Sequence, residues 1–232
     1  MRRTKYPPPK RWSYSSWSSW AACPYRYLKH HILGEREPPG PALIRGNVVH
    51  AKAEQYLKGN LKGPPPKELW KLAPHYRELK AMKPVVEQFW GVDRDWRPAQ
   101  KDTTWCVMKM DAAVLPSQRT PGPLWIGDHK TGREYAETHE KQGSLYACIG
   151  AVTVPYAVGV DVEFWYVDLG YSQPYHYTPR RIARDTKRWI AQGELLMNEK
   201  DFLPTPSHDA CKYCDLRSDK GGPCKSWKAL QH

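Results

Sequence analysis

The hydrophobic repeat of this chain changes in its middle, and that change limits the folds open to it. Apolar residues recur at helical spacing over about residues 15–28 and 44–58. Residues 103–115 and 124–130 have the alternating and β-branched character of two strands, joined by a turn-rich segment. The later elements are predicted as helices 67–89, 136–151 and 179–198 and strands 160–169 and 175–178, with Pro74 and Pro84 as candidate breaks in the first of these helices. This order predicts a mixed α/β fold in which helices flank a small central sheet.

Length and composition favour one principal domain away from membranes. The 232 residues suffice for one sizeable core, and a second full domain is not expected. Apolar runs are shorter than the roughly 18 residues of a membrane span, and the basic, proline-rich start lacks the apolar segment of a secretory signal. We therefore expect a cytoplasmic protein without a membrane partner.

The charge of the chain makes a polyanion the first partner to consider. There are 36 Lys and Arg against 24 Asp and Glu, which gives a net charge of +12. Eleven Trp and fourteen Tyr could add base stacking, although most should lie in the core. A basic stripe on the last long helix is a candidate nucleic-acid surface, with a solvated helix face as the alternative: Arg180, Arg181, Arg184, Lys187 and Arg188.

The tripeptide Asp128-His129-Lys130 is the most informative short segment for chemistry. On a strand, Asp128 and Lys130 face one side while His129 faces the other. Asp111 ends the preceding strand, so a hairpin would bring its carboxylate toward that of Asp128. Two close carboxylates repel unless a cation lies between them, and Mg²⁺ or Mn²⁺ prefers such oxygen ligands. Ordinary salt bridging by Lys130 is the alternative interpretation.

Two predicted helices carry further polar pairs spaced by one turn. His50 and Glu54 share a face of one helix, and Gln142 and Tyr146 share a face of another. A lone helical histidine is more often a packing residue than a ligand. Glu54 is a candidate outer ligand or substrate contact, or else a solvated carboxylate.

Taken together, these motifs resemble a known nuclease family over about 200 residues, from Ser13 to Cys224. The family is the RecB-type branch of the PD-(D/E)XK nucleases, and the resemblance rests on Gly46-x-x-x-His50, Asp111, Gly127-Asp128-His129-Lys130-Thr131-Gly132 and Gln142-x-x-x-Tyr146. The chain departs from the family pattern at Met110, where a small residue is common nearby, and at His129, where an apolar residue is usual.

The resemblance implies a restriction-endonuclease-like core whose motif strands form the floor of a DNA-binding cleft. It also implies that His50, Asp111, Asp128 and the backbone carbonyl of His129 ligate Mg²⁺ or Mn²⁺. Phosphodiester hydrolysis would use such an ion to activate water and neutralise phosphate charge.

The catalytic roles also follow from the resemblance. Lys130 would orient or stabilise the attacking hydroxide. Gln142 would support the site, and Tyr146 would support Gln142. The implied activity is that of an exonuclease on DNA ends or single strands in repair or recombination. Stand-alone enzymes of this type occur in phages and CRISPR adaptation systems, so a bacterial or phage-infected cytosol and recombination or adaptation partners are expected.

Other functions remain open at this level. A flap- or branch-specific endonuclease is the alternative within the same class. A non-catalytic nucleic-acid-binding module and a zinc-stabilised interaction protein are alternatives outside it.

Six cysteines in an expected cytosolic chain favour metal or cluster ligands over disulfides. Cys211, Cys214 and Cys224 stand in the tail, and Cys23 is the natural fourth ligand. The resemblance implies a [4Fe–4S] cluster that ties the tail to the first helix, with structural Zn²⁺ or free thiols as alternatives. Cys106 and Cys148 are expected to be ordinary buried thiols.

These motifs also predict the domain organisation. We expect a flexible basic arm at residues 1–12, the nuclease domain at 13–200 and a cysteine-rich tail at 201–232 that packs on the N-terminal helix through the cluster.

Overall fold

The structure, a computed structural model, describes residues 6–7 and 9–230. Contacts divide the chain into a terminal unit, residues 1–38 and 190–232, and a sheet unit, Pro39–Trp189. The predicted boundaries at residues 12 and 200 stay predictions about domains. Residues 1–5 and 8 of the predicted arm lie outside the described part. Among the described residues of that stretch, Trp12 is buried, with 1% exposure.

Five strands form one mixed sheet in the order β1-β2-β3-β4-β5. The strands are β1 (Val85–Val92), β2 (Cys106–Val114), β3 (Leu124–Lys130), β4 (Val160–Tyr166) and β5 (Tyr171–Tyr177). Neighbouring strands are antiparallel except β3 and β4, which are parallel. Helix α5 (Ala136–Thr153) provides the crossover that a parallel pair requires. The predicted α/β class with a small mixed sheet is confirmed.

The predicted helix across residues 67–89 does break near Pro84, but residues 85–89 form a strand, so the helical prediction is wrong there. A 3-10 helix, Lys67–Leu72, leads into α4 (Ala73–Ala81), and the chain then enters β1. Lys83 has a positive φ of 54° and precedes Pro84, which disfavours helical backbone in the residue before it. The β-prone residues after Pro84 then continue as a strand.

Helices cover both faces of the sheet. On one face, α3 (Pro41–Leu57) and α4 pack with Trp165 and Val167 in a buried apolar cluster. On the other face, α5 approaches the strands closely at two glycines. A Cβ on Gly143 would lie 2.8 Å from the Tyr177 hydroxyl, and one on Gly150 would lie 2.8 Å from Leu124 Cδ2. These glycines allow α5 to seat its polar residues near the end of β3.

The terminal unit joins the first helices to the tail. Its helices are α1 (Tyr14–Ala22), α2 (Pro24–Tyr27), which continues as the π-helix Leu28–Ile32, and α7 (His208–Lys212). Helix α6 (Pro179–Met197) starts in the sheet unit and ends in the terminal unit.

Side-chain contacts join the two sequence segments of the terminal unit. Trp20 Nε1 donates to Glu199 Oε2 at 3.2 Å, and His30 Nε2 lies 2.9 Å from Asp215 Oδ2. Among the described residues, every helix is too short or too polar to cross a membrane.

Candidate active site

The candidate site lies where β2 and β3 separate. Their pairing stops at Ala112 and Gly127, so Asp111 and Asp128 follow directly at the open end of the ladder. Both carboxylates are buried, with 8% and 5% exposure. The His129 backbone N–H donates to Asp111 Oδ2 at 2.6 Å. The two aspartates thus occupy the next cross-strand positions after the last pair, at a point where the sheet opens.

The end of β3 is held by a hydrogen-bonded network from α5. Lys130 Nζ lies 2.6 Å from Asp128 Oδ2 and donates to Gln142 Oε1 at 2.9 Å. Gln142 Nε2 donates to Asp128 Oδ1 at 3.1 Å and to the Tyr146 hydroxyl at 2.8 Å. Tyr146 in turn donates to the Lys109 carbonyl at 2.8 Å. The carboxylate, the ammonium group and the amide thus fix one another.

Helix α3 brings His50 to the same point. His50 Nδ1 lies 2.8 Å from Asp111 Oδ1. One turn earlier, a Cβ on Gly46 would lie 3.2 Å from Thr131 Oγ1, so glycine lets α3 pass close to the end of β3. Asp168 Oδ2 accepts hydrogen bonds from Gly132 N at 2.8 Å and from Arg45 at 2.7 Å, which ties the following turn to α3.

Burial and neighbouring charges shift the acidities in opposite directions. Burial raises the pKa of Asp128, although Lys130 opposes the shift. Burial has the same tendency at Asp111, but the neighbouring His129 and His50 hold the pKa of Asp111 well below its usual range. Burial tends to lower the pKa of His50, yet its hydrogen bond to Asp111 gives a net rise. Asp111 is therefore the carboxylate most firmly held as an anion.

An open cavity of about 600 Å³ gives access to these groups. It is lined by Asn47, His50, Ala51, Glu54, Glu87, Lys109, Asp111, Asp128, His129, Lys130 and Thr131. Glu54, predicted as an optional contact, lies on the wall and pairs with Lys58 at 2.5 Å. The predicted residues from α3, β2 and β3 thus line one cleft, and Gln142 of α5 is joined to it by hydrogen bonds to Lys130 and Asp128.

Glu87 and Lys109 are cleft residues that sequence reasoning missed. Glu87 lies between the pairs Val86–Ala112 and Gln88–Met110, which places it opposite Asp111 on β1. It forms an ion pair with Lys109, and burial together with Asp111 raises its pKa. Its backbone has a φ of 54°, which is uncommon for a residue other than glycine. The available signal was Pro84 followed by β-prone residues, which predicts a strand.

Three ligand atoms in this cleft lie within 4.8 Å of one another, one each from His50, Asp111 and His129. A set of imidazole and carboxylate groups at this spacing is suited to a divalent ion. The resemblance had implied a different set, with Asp128 and the His129 carbonyl in place of the His129 ring.

The basic stripe on α6 has a mixed character. Arg181 pairs with Glu140 at 2.7 Å and lies over the Tyr177 ring, and Arg184 pairs with the buried Asp185 at 3.0 Å. Arg188 lies over the Trp189 ring, with 5.5 Å between its Cζ atom and the ring centroid. Arg180 and Lys187 are exposed. Part of the stripe therefore stabilises the fold of the sheet unit.

The four predicted ligand cysteines meet in the terminal unit. Cys23, Cys211, Cys214 and Cys224 all line one small cavity, with Arg26 and Trp227 among its walls. Unlike the cleft ligands, these described sulfur atoms do not supply three ligand atoms within 4.8 Å of one another. Cys106 and Cys148 are buried in the sheet unit, as expected.

Comparisons with known proteins agree with this arrangement. Residues 11–218 match the family described as the PD-(D/E)XK nuclease superfamily. The fold is similar to that of a proposed exonuclease from Eubacterium rectale, with a TM-score of 0.51, 12% identity and coverage of 89% of this chain and 86% of that one. It is also similar to a protein named SSO0001, with a TM-score of 0.50, 16% identity and coverage of 95% and 88%.

At these identities the likeness to solved structures concerns the fold alone. No curated protein sequence matches the chain. The family match covers most of the sequence, including every element that forms the cleft. The chain therefore belongs to the PD-(D/E)XK nuclease superfamily.

Proposed function

We propose that this nuclease is a Mg²⁺- or Mn²⁺-dependent exonuclease of the RecB-like branch that hydrolyses DNA at ends or in single strands. The observation that carries the proposal is the Lys130–Asp128–Gln142 network, which lies beside Asp111 and His50 in an open cavity of about 600 Å³. A purely structural salt bridge would need neither the second carboxylate nor an open path to it.

The proposed ion ligands are His50, Asp111, Asp128 and the His129 carbonyl. The alternation of the parallel ladder supports the last of these. Lys130 O accepts from Val167 N at 3.0 Å, so the even-numbered residues of β3 bond to β4 and His129 directs its carbonyl toward β2 and the cleft. A divalent ion held there would lower the pKa of a water molecule and neutralise charge on the phosphate.

The other residues position the reacting groups. Lys130 keeps its ammonium group at the cavity wall because Asp128 and Gln142 hold it from two sides. From there it can stabilise an attacking hydroxide through its positive charge. Gln142 fixes both partners, and Tyr146 anchors Gln142 to the backbone of β2.

Exonuclease action in repair or recombination rests on the resemblance of the motifs and on the description of the Eubacterium rectale protein. We place the protein in the cytoplasm, with DNA as substrate and with recombination or adaptation proteins as partners. Arg180 and Lys187 are the members of the α6 stripe best placed for phosphate contacts, because both are exposed. The other three contact side chains of the sheet unit: Arg181 pairs with Glu140, Arg184 with Asp185, and Arg188 lies over Trp189.

We further propose that the four clustered cysteines hold a [4Fe–4S] cluster. The four cysteines line one small cavity, and four thiolates are the usual ligands of such a cluster. Four thiolates also suit tetrahedral zinc, which is the alternative. Iron and sulfide analysis of the purified protein, with absorbance near 400 nm, tests this assignment; stoichiometric zinc without iron would contradict it.

The proposed activity is tested by incubating the protein with DNA labelled at either end, single- or double-stranded, with and without Mn²⁺. Mononucleotide release from an end is the expected result, and it should disappear in Asp128→Asn and Lys130→Met. Internal cleavage of flaps or branches would replace the exonuclease proposal by the endonuclease alternative. DNA binding without cleavage in every metal would overturn the proposed activity.

A further inference from the structure

His129 is an unusual side chain for the interior of this protein. Its residue is 2% exposed, and among the described residues neither Nδ1 nor Nε2 has a hydrogen-bond partner. An imidazole always carries at least one N–H group, and its neutral form also has one nitrogen lone pair. Burying these groups unpaired destabilises a fold, so a partner for a ring nitrogen would stabilise this one.

Aromatic neighbours fix the position of the His129 ring. The ring centroids of Tyr76 and Trp165 lie 5.3 Å and 5.7 Å from that of His129. Both neighbours are buried, so the ring has little freedom to turn away.

The His129 ring lies near the other proposed ligands. His129 Nδ1 is 3.8 Å from Asp111 Oδ2, too far for a hydrogen bond but suitable for two ligands of one ion. The ring centroids of His129 and His50 are 5.8 Å apart, and a ligand atom from each of the three residues lies within 4.8 Å of the others. The three side chains come from α3, β2 and β3 and converge on one point.

We infer that the imidazole of His129 is itself a ligand of the divalent ion in the cleft, and that the resulting pair of histidines with Asp111 makes the site prefer a divalent transition-metal ion to Mg²⁺. This inference rests on the proposed function for the identity of the cleft. Mg²⁺ favours oxygen ligands, whereas imidazole nitrogens bind first-row transition metals more strongly. The alternative, a histidine that serves only for packing, predicts a site with one nitrogen ligand.

Pulsed electron paramagnetic resonance of Mn²⁺ bound to the full-length protein counts these nitrogens directly. We expect modulation from two ¹⁴N nuclei of the histidine rings at one Mn²⁺ site. His50→Ala and His129→Phe should each leave one nitrogen. A single coupled nitrogen in the unaltered protein would overturn the inference, and this result does not depend on how a variant folds.

Metal affinity gives the second test. Titration of free Mn²⁺, with Mg²⁺ as competitor, should show at least about a tenfold preference for Mn²⁺, and His129→Phe should lose most of that preference. The control is His139→Phe, which alters another buried histidine, one that bonds the Tyr166 hydroxyl at 2.7 Å and does not line the cleft. Unchanged Mn²⁺ selectivity in a folded His129→Phe protein would contradict the inference.

These outcomes separate the inference from the nuclease proposal. Two coupled nitrogens without DNA cleavage would retain the metal site and reject the proposed activity. Cleavage supported by an ion with one coupled nitrogen would retain the activity and reject the role of the His129 ring.

Discussion

The cleft of the sheet unit and the cysteine cavity of the terminal unit gather candidate metal ligands in different ways. In the cleft, the side chains are already in contact: His50 lies 2.8 Å from Asp111, and Lys130 lies 2.6 Å from Asp128. In the cavity, four free cysteines converge from two distant parts of the sequence. Under the proposed function, an ion in the cleft would act on side chains that are already arranged, whereas a metal in the cavity would stabilise the fold of the terminal unit.

Replacing Lys130 in the cleft should cause the largest change, a loss of cleavage rate. Lys130→Met should reduce cleavage by about 10³-fold or more, since it removes the charge next to the attacked phosphate. The unfolding midpoint should stay above the assay temperature, because Asp128 loses its ion pair but keeps its hydrogen bond from Gln142. Single-turnover cleavage and differential scanning calorimetry measure the two quantities. A cleavage rate within threefold of that of the unaltered protein would contradict the proposed role of Lys130.

The opposite pattern is expected in the cavity. Cys211→Ser should lower the stability of the terminal unit by several kcal/mol, because metal binding and folding of such a tail are coupled. Limited proteolysis should then cut the tail first. Cys148→Ala, which removes a buried thiol of the sheet unit, should leave absorbance near 400 nm unchanged. A Cys211→Ser protein with the same absorbance and protease resistance would show that the cavity holds no metal through this residue.

A smaller effect is expected from the network that supports the cleft. Gln142→Leu removes the hydrogen bonds to Lys130, Asp128 and Tyr146 without removing a proposed ligand. Cleavage should fall by about 10–100-fold, a range typical of residues that orient metal ligands. Steady-state kinetics in Mn²⁺ measure this effect, and a decrease as large as that of Lys130→Met would place Gln142 in direct contact with the reaction.

The smallest effect concerns DNA affinity. Replacing the exposed Arg180 and Lys187 by Ala should weaken binding uniformly across sequences and reduce the salt dependence by about one unit for each phosphate that is no longer neutralised. Arg181→Ala should chiefly lower stability, because that side chain pairs with Glu140 and Asp185. Binding isotherms over a range of salt concentrations separate the two outcomes. An unchanged salt slope would remove the stripe from the DNA surface.

Local sequence patterns predicted the parts of the cleft that depend on short spacing. The Asp128–Lys130 repeat of a strand and the Gln142–Tyr146 repeat of a helix both fix side-chain direction within one element. The fold class followed in the same way from the order of elements. The cysteine spacing likewise pointed to one ligand group, and its four members do meet in one cavity.

Features that depend on tertiary packing could not be predicted from local sequence patterns. Glu87 could not be placed because its strand was assigned to a helix, and its position opposite Asp111 depends on strand register. The burial of Trp12 and the internal ion pairs of Arg181 arise from contacts between distant segments. The His129 ring was expected to point away from Asp128 and Lys130. Its nearness to Asp111 arises because β2 and β3 separate at that point.

We propose that the cleft holds a catalytic divalent ion and that the cavity holds a separate structural metal. Anomalous X-ray scattering from crystals soaked in Mn²⁺ tests it most directly, because manganese and iron are distinguished by their absorption edges. We expect a manganese peak at His50 and Asp111 and an iron peak among the four cysteines. Manganese absent from the cleft of a cleavage-competent crystal would contradict it.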